Sequence, residues 1–435
     1  MKKTLCLILV IAAAMLTFGG LTAFADEEKI NLVWFTEQMD DVEVERTMKY
    51  IIEPFEEKYP NIHIELSPTA DYEQVLKVQL SAKGGPDICN MGGPTITAEF
   101  VSANKILDLT SYVEECGMDK QMFTWALDSC RVNGSIYSLP NSYEALMLWI
   151  NNDMFAEKGW TVPTNWEEMQ AFCEAAMNEG IIPMAFGTSD FTAINEQFVS
   201  IAFACYAGRD NVVKALKGEL PWTDQIFVDS INCLKDMWQK GWISDKKSHA
   251  ISDNDASALW YSGMAATRMT GTWAISDFSR NVPFSYSAVA FPAMNDEVTA
   301  AVPIGAGGCV AINADTKYPD ECFAFLKFMF TENAENQALA VAEGAQPLPV
   351  ESDPSLYPED MDSVYVDVLD MLDDCMENIE QCGHVMWSYW PAETRLFMMD
   401  NIEKVYLGEM TTEEYLEQSN ELFVKELEAG LVPAV

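Results

Sequence analysis

A mixed α/β fold with a mainly parallel sheet is predicted by three observations. Strand-like and helix-like segments alternate over the first ninety residues. Amphipathic segments with helix-start residues continue to the C terminus. A hydrophobic fraction of 49% supplies enough apolar side chain for real cores.

The elements follow in order. Ile30 to Phe35 is a short apolar run of strand character. Val44, Met48, Ile51 or Ile52, Phe55 and Tyr59 recur at helical spacing, and Pro60 stops that helix. Ile62, Ile64 and Leu66 alternate as a strand does. Tyr72 to Ala82 reads as a helix closed by Gly84-Gly85-Pro86, and Asp87 to Met91 as a buried strand. Farther on, Thr164 and Glu167 have capping-box spacing ahead of Trp166, Met169, Phe172 and Ala176. Pro319 to Phe330 is a helix with Cys322, Phe325, Leu326 and Met329 inward. The acid-rich stretch Glu359 to Asp374 carries Met361, Val364, Val368 and Leu372 near helical spacing, which makes it a solvated helix face. Thr411 and Glu414 cap a last helix ending near Leu427.

The first residues read as an export signal. Lys2 and Lys3 precede the apolar run Leu5 to Leu16, and Ala23-Phe24-Ala25 has the small-x-small pattern of a cleavage site. A mature N terminus at Asp26 is expected, with an extracellular or periplasmic location. Cys6 lacks a lipobox, so no lipid anchor is expected there. A net charge of -42 disfavours nucleic acid and anionic lipid as partners. The remaining cysteines are scattered without a C-x-x-C pair and read as mostly buried thiols, or as one or two adventitious bridges. Cys375, Cys382 and His384 fit no common zinc spacing.

Enzyme motifs are absent: the sequence has no phosphate-binding G-x-x-x-x-G-K loop, no H-E-x-x-H and no G-x-S-x-G. Only three histidines, His63, His249 and His384, could serve a nucleophile. With 68 acidic residues, a chance carboxylate pair carries no specificity. The unusual feature is twelve tryptophans. An indole offers a flat apolar face with a polar edge, which suits the apolar face and hydroxyl rim of a pyranose.

Seven segments then resemble, in order, the family 1 extracellular solute-binding proteins. They are FEEKYPNIHIEL, YEQVLKVQLSAKGGPDI, NKILDLTSYV, NGSIYSLPNSYEALMLWINNDMFAEKGWTVPTNWEEM, LWYSGMAATRMTGTW, GAGGCVAINADTKYPDECFAFLKFM and YLGEMTTEEYL. The resemblance covers nearly all of the chain after the signal, apart from Thr188 to Asn211. It implies a two-lobed periplasmic-binding-protein-like fold with a ligand cleft between lobes and several hinge crossovers. The implied partition is a signal peptide at 1–25, one lobe from 26–142 with 302–345, and the other from 143–301 with 346–435. Hinges are expected near Asn141 to Glu144, Phe291 to Pro303 and Glu343 to Pro349.

The resemblance also implies a site. Glu37 and Gln38 follow the first strand, and Asn90 and Met91 stand where the family places further contacts after the PDI strand. Glu144 falls where the family has a cleft glutamate, with Tyr143 beside it. Trp273 of the GTW segment falls where the family stacks sugar. Trp387 or Trp390 of MWSYWPAETR would give a second platform. The implied function is capture of a carbohydrate, an oligosaccharide above all, for the membrane permease of an ABC importer. Such a protein is a monomer, has no cofactor or metal and is not an enzyme. The alternatives are a secreted glycosidase, a receptor for a non-sugar solute such as a polyamine, and a binding partner of a sensor.

Overall fold

The computed structural model describes residues 29–82 and 84–435. The expected signal peptide, residues 1–25, lies outside them. Thirteen strands form among the described residues: β1 Ile30–Glu37, β2 Ile62–Thr69, β3 Ile88–Met91, β4 Arg131–Val132, β5 Ser135–Ile136, β6 Leu139–Pro140, β7 Tyr143–Asn151, β8 Ile182–Ala185, β9 Ala265–Gly271, β10 Tyr286–Val289, β11 Pro303–Ala306, β12 Cys309–Ile312 and β13 Gly383–His384.

They make two main sheets and the small hairpin β4-β5. The first sheet has the order β2-β1-β3-β12-β6. β1 is parallel to β2 and β3, as the alternation of strands and helices predicts. β12 is antiparallel to β3 and β6. The second sheet has the order β13-β11-β7-β9-β8, and β10 also pairs with β7. All nine residues of β7 are buried. A strand covered on both faces reads as an almost unbroken apolar run, and in β7 Glu144 is the charged exception.

Each sheet has a core on both faces. Leu32 and Trp34 of β1 pack with Phe55, Val310 and Phe325, while Phe35 points to the other side with Leu76, Leu80 and Phe100. In the second sheet, Leu146, Leu148 and Ile150 face one core, and Tyr143, Ala145, Met147 and Trp149 face the other.

The first helix runs from Asp41 to Lys58 but widens to a π-turn over Met48–Ile52. Pro54 explains the wide turn: it has no N–H to give the carbonyl of Tyr50, and its ring crowds the preceding turn. Asn333 Nδ2 donates to that carbonyl instead, at 2.8 Å. The helix Trp166–Asn178 has its cap one residue later than expected. Asn165 accepts from the Glu168 N–H, and Glu168 reaches back to Thr164. Thr411 and Glu414 form the capping box of Thr412–Glu428, and Ser363–Glu377 is a helix that buries Val368 and Leu372. The inward set Cys322, Phe325, Leu326 and Met329 is buried as expected. The ten described cysteines are free thiols.

The chain passes between the sheets at Asn141-Ser142 and returns at Gly307-Gly308. The two passages bond to each other: the Asn141 N–H donates to the Gly308 carbonyl at 3.0 Å, and the Gly307 N–H to the Ser142 carbonyl at 3.1 Å. A third segment accompanies them, with the Pro347 carbonyl accepting from Tyr143 N–H and the Pro349 carbonyl from Phe123 N–H. The passage expected at Phe291 to Pro303 is corrected by the pairing. β10 and β11 flank that segment, and both pair with β7. The chain therefore stays with the second sheet until after Ala306, later than the boundary at 302.

Candidate functional site

The residues that meet at the seam between the sheets come from strand ends and the loops just beyond them. Glu37 closes β1. Asn90, in β3, is buried and joins two groups: its Oδ1 accepts from Trp34 Nε1 at 2.9 Å, and its Nδ2 donates to Glu37 Oε2 at 3.0 Å. Asn90 therefore orients the Glu37 carboxylate. Gln38 is exposed and donates to the Met39 carbonyl.

Glu144 enters from the second sheet. Alternation along β7 puts it on the face opposite its neighbour Tyr143. Its backbone is in register with Gly305, and its carboxyl lies against Gly307, where a Cβ would collide with it and with Ser142 Oγ. Burial raises the Glu144 carboxyl to about 8. The charge of Glu37 adds to the rise, and the Trp387 indole N–H opposes it. Trp387 is nearly buried, and its Nε1 faces that carboxyl without completing a hydrogen bond.

Trp387 sits in the short helix Met386–Tyr389. Its carbonyl accepts from Thr95 Oγ1 at 3.3 Å and crowds Gly93, which has a φ of 124° and no room for a side chain. Trp387 thus touches the loop after β3, so the two sheets meet here. Trp273 follows β9 in the single turn Thr272–Ala274. Its ring folds back over Gly271, where a Cβ would strike it, and meets Trp387 edge-to-face with centroids 5.8 Å apart. The adjacent Thr272 is fixed by the Ala145 N–H and by Gln346 of the third crossing segment.

The structure brings together Glu37, Asn90, Glu144, Trp273 and Trp387. It separates Tyr143 and Trp390 from them. Tyr143 packs edge-to-face on Phe123 and lines a pocket of about 290 Å3 with Met329, Phe330 and Pro347. Trp390 is fully buried in the second core, stacked with Phe203 and against Trp222, so its faces are spent on packing. That corrects its reading as a platform: at the end of the short helix it points into the core.

Four further residues complete the seam. Tyr72 and Glu73 open the helix after β2 and crowd Gly92, the glycine next to Met91. Glu196 and Arg395 form a buried two-pronged pair at 2.6 and 2.8 Å. The Glu73 charge acts on both. A crevice of about 330 Å3 opens between Thr95 and Glu99 on one side and Glu393 and Leu396 on the other. The pair Gly92-Gly93 was a readable sign of close approach. Glu196 lies in the segment without family motifs, and nothing local marks its pairing with Arg395.

The chain belongs to the bacterial extracellular solute-binding protein family, whose profile matches residues 41–336. It is 24% identical over 322 residues to the multiple sugar-binding protein of Streptococcus mutans, covering 71% of this chain and 73% of that protein. Among solved structures it is similar to a chitin oligosaccharide binding protein, with a TM-score of 0.79 at 20% identity over 92% of this chain and 99% of the other. It is also similar to maltose-bound MalE3 of T. maritima, with a TM-score of 0.72 at 18% identity over 91% and 99% of the two chains. The family is the one that the order of motifs implied, and the structural likeness is one of a two-lobed fold. No helix of the described residues is long and apolar enough to cross a membrane.

Proposed function

We propose that this protein binds a carbohydrate, an oligosaccharide above all, between its two lobes and delivers it to the permease of an ABC importer without breaking a bond. The observation that carries the reading is the grouping of two indoles with two carboxylates where the sheets meet: Trp273 beside Trp387, and Glu37 opposite Glu144. Indole faces suit pyranose faces, and carboxylates accept from vicinal hydroxyls. The sugar-binding relative in Streptococcus mutans supports the same class of ligand. Contacts to both lobes are complete only when these are together, so ligand favours the closed state. Export through the N-terminal segment and the monomeric state belong to the same reading.

Calorimetry and thermal shift against a panel of oligosaccharides test it, because a ligand of the native state raises the melting midpoint. A member of the panel should bind and be recovered intact. Glu144→Gln should weaken it about tenfold or more above about pH 8, where the carboxylate is ionised and offers a charge-assisted hydrogen bond. Shortening of the sugar during incubation would favour the glycosidase instead, and a panel without any binder would sink the carbohydrate reading.

A further inference from the structure

The seam is acidic in a particular way. Among the described residues, Glu37, Glu73 and Glu144 take part in none of the ion pairs. Cations nearby are engaged elsewhere: Arg395 holds Glu196 with both prongs, Lys77 holds Glu99 at 2.8 Å, and Lys425 holds Glu393 at 2.8 Å. A buried carboxylate with no counter-charge is costly, and Glu144 meets that cost by keeping its proton near neutrality.

A second observation concerns the side chain that faces Glu144. The Trp387 indole nitrogen is more than nine-tenths buried, has no hydrogen-bond partner and faces the Glu144 carboxyl. Native interiors leave few such groups unmatched. The neighbouring Trp273 and Trp387 rings offer π-faces, which attract cations and repel anions.

We propose that the seam takes a carbohydrate with a free, protonated amino group, a hexosamine unit, whose ammonium lies between Glu37 and Glu144. This deepens the carbohydrate reading above and depends on it. The ammonium would supply the positive charge that the protein withholds from these two carboxylates. Once Glu144 ionises beside it, that carboxylate accepts from the Trp387 N–H and from the ammonium together. A uronic acid would bring a third negative charge to a place where, among the described residues, no cation acts on Glu144.

Calorimetry with three probes of equal length and linkage tests this: the β-1,4 trisaccharides of glucosamine, of N-acetylglucosamine and of glucose. The glucosamine trisaccharide should bind about tenfold or more tightly than the other two, as charge-assisted bonds exceed neutral ones. Glu37→Gln and Glu144→Gln should each erase that preference, with circular dichroism confirming that the variants fold. Equal binding of the three probes, or tighter binding of a neutral one, overturns the amino-sugar inference and leaves the carbohydrate reading intact. Binding of spermidine with no binding of any trisaccharide overturns the carbohydrate reading itself. A preference that survives in both variants overturns the assignment of Glu37 and Glu144.

Discussion

Glu144 couples the site to pH. Its carboxyl rises from an ordinary 4.5 to about 8 on folding, so the native state holds a proton that the unfolded chain releases. The stability this provides is complete below about 4.5 and is lost as pH rises through about 8, with a slope of at most about 1.4 kcal/mol per unit. His384 has the opposite sign. Burial pushes it down to about 3, helped by Arg209 and Lys217, so its contribution is present above 6.5 and fades as pH falls. Chemical denaturation of the unliganded protein between pH 4.5 and 8.5 should show the Glu144→Gln variant losing less stability than the parent. Parallel curves would mean that Glu144 titrates normally. Trp273 and Trp390, two of the three tryptophans that the resemblance places in the site, should also part company. Trp273→Ala should abolish sugar binding with a small fall in melting midpoint, because its ring is only partly buried. Trp390→Ala empties a core position and should cost about 3–5 kcal/mol. Titration with sugar and a melt on the same samples check both.

At the scale of elements, the sequence showed what is local. β1, β2 and the helix from Thr412 were readable because alternation and a capping box lie within a few residues of each other. Glu37, Asn90, Glu144 and Trp273 were reachable because each sits at or beside a strand end in a matching motif. Trp390 and Tyr143 were misplaced for want of direction: a motif gives position along the chain, while the face is set by the strand's alternation and the short helix's phase. The wide turn at Met48–Ile52 was illegible, since the group that makes Pro54 tolerable lies far away in Asn333. Asn333→Ala should leave the Tyr50 carbonyl unmatched and cost about 1–3 kcal/mol. Urea unfolding checks this, and an unchanged midpoint would show that the carbonyl finds another donor.

For the whole molecule, size replaces covalent staples. Two sheets, each covered on both faces, bury enough apolar surface that the described thiols can stay unpaired. Cys130 and Cys309 have sulfurs 3.3 Å apart in one core of the first sheet, and both are free thiols. The melting midpoint should therefore stay almost constant under reductant. A large fall would reveal a bridge that matters.

The interleaving of the sheets has a consequence in time. β12 lies between β3 and β6 of the first sheet, yet it follows β7, β8, β9, β10 and β11 along the chain. A polypeptide made from its N terminus must therefore carry a gap in its first sheet throughout the making of most of the second. The helix and wide turn from Pro319 to Glu332, which supply Phe325 and Phe328 to the same core, come later still. A fragment of residues 29–301 should be digested by protease at the rate of an unfolded chain, and protection should arise only in fragments extending past Glu332.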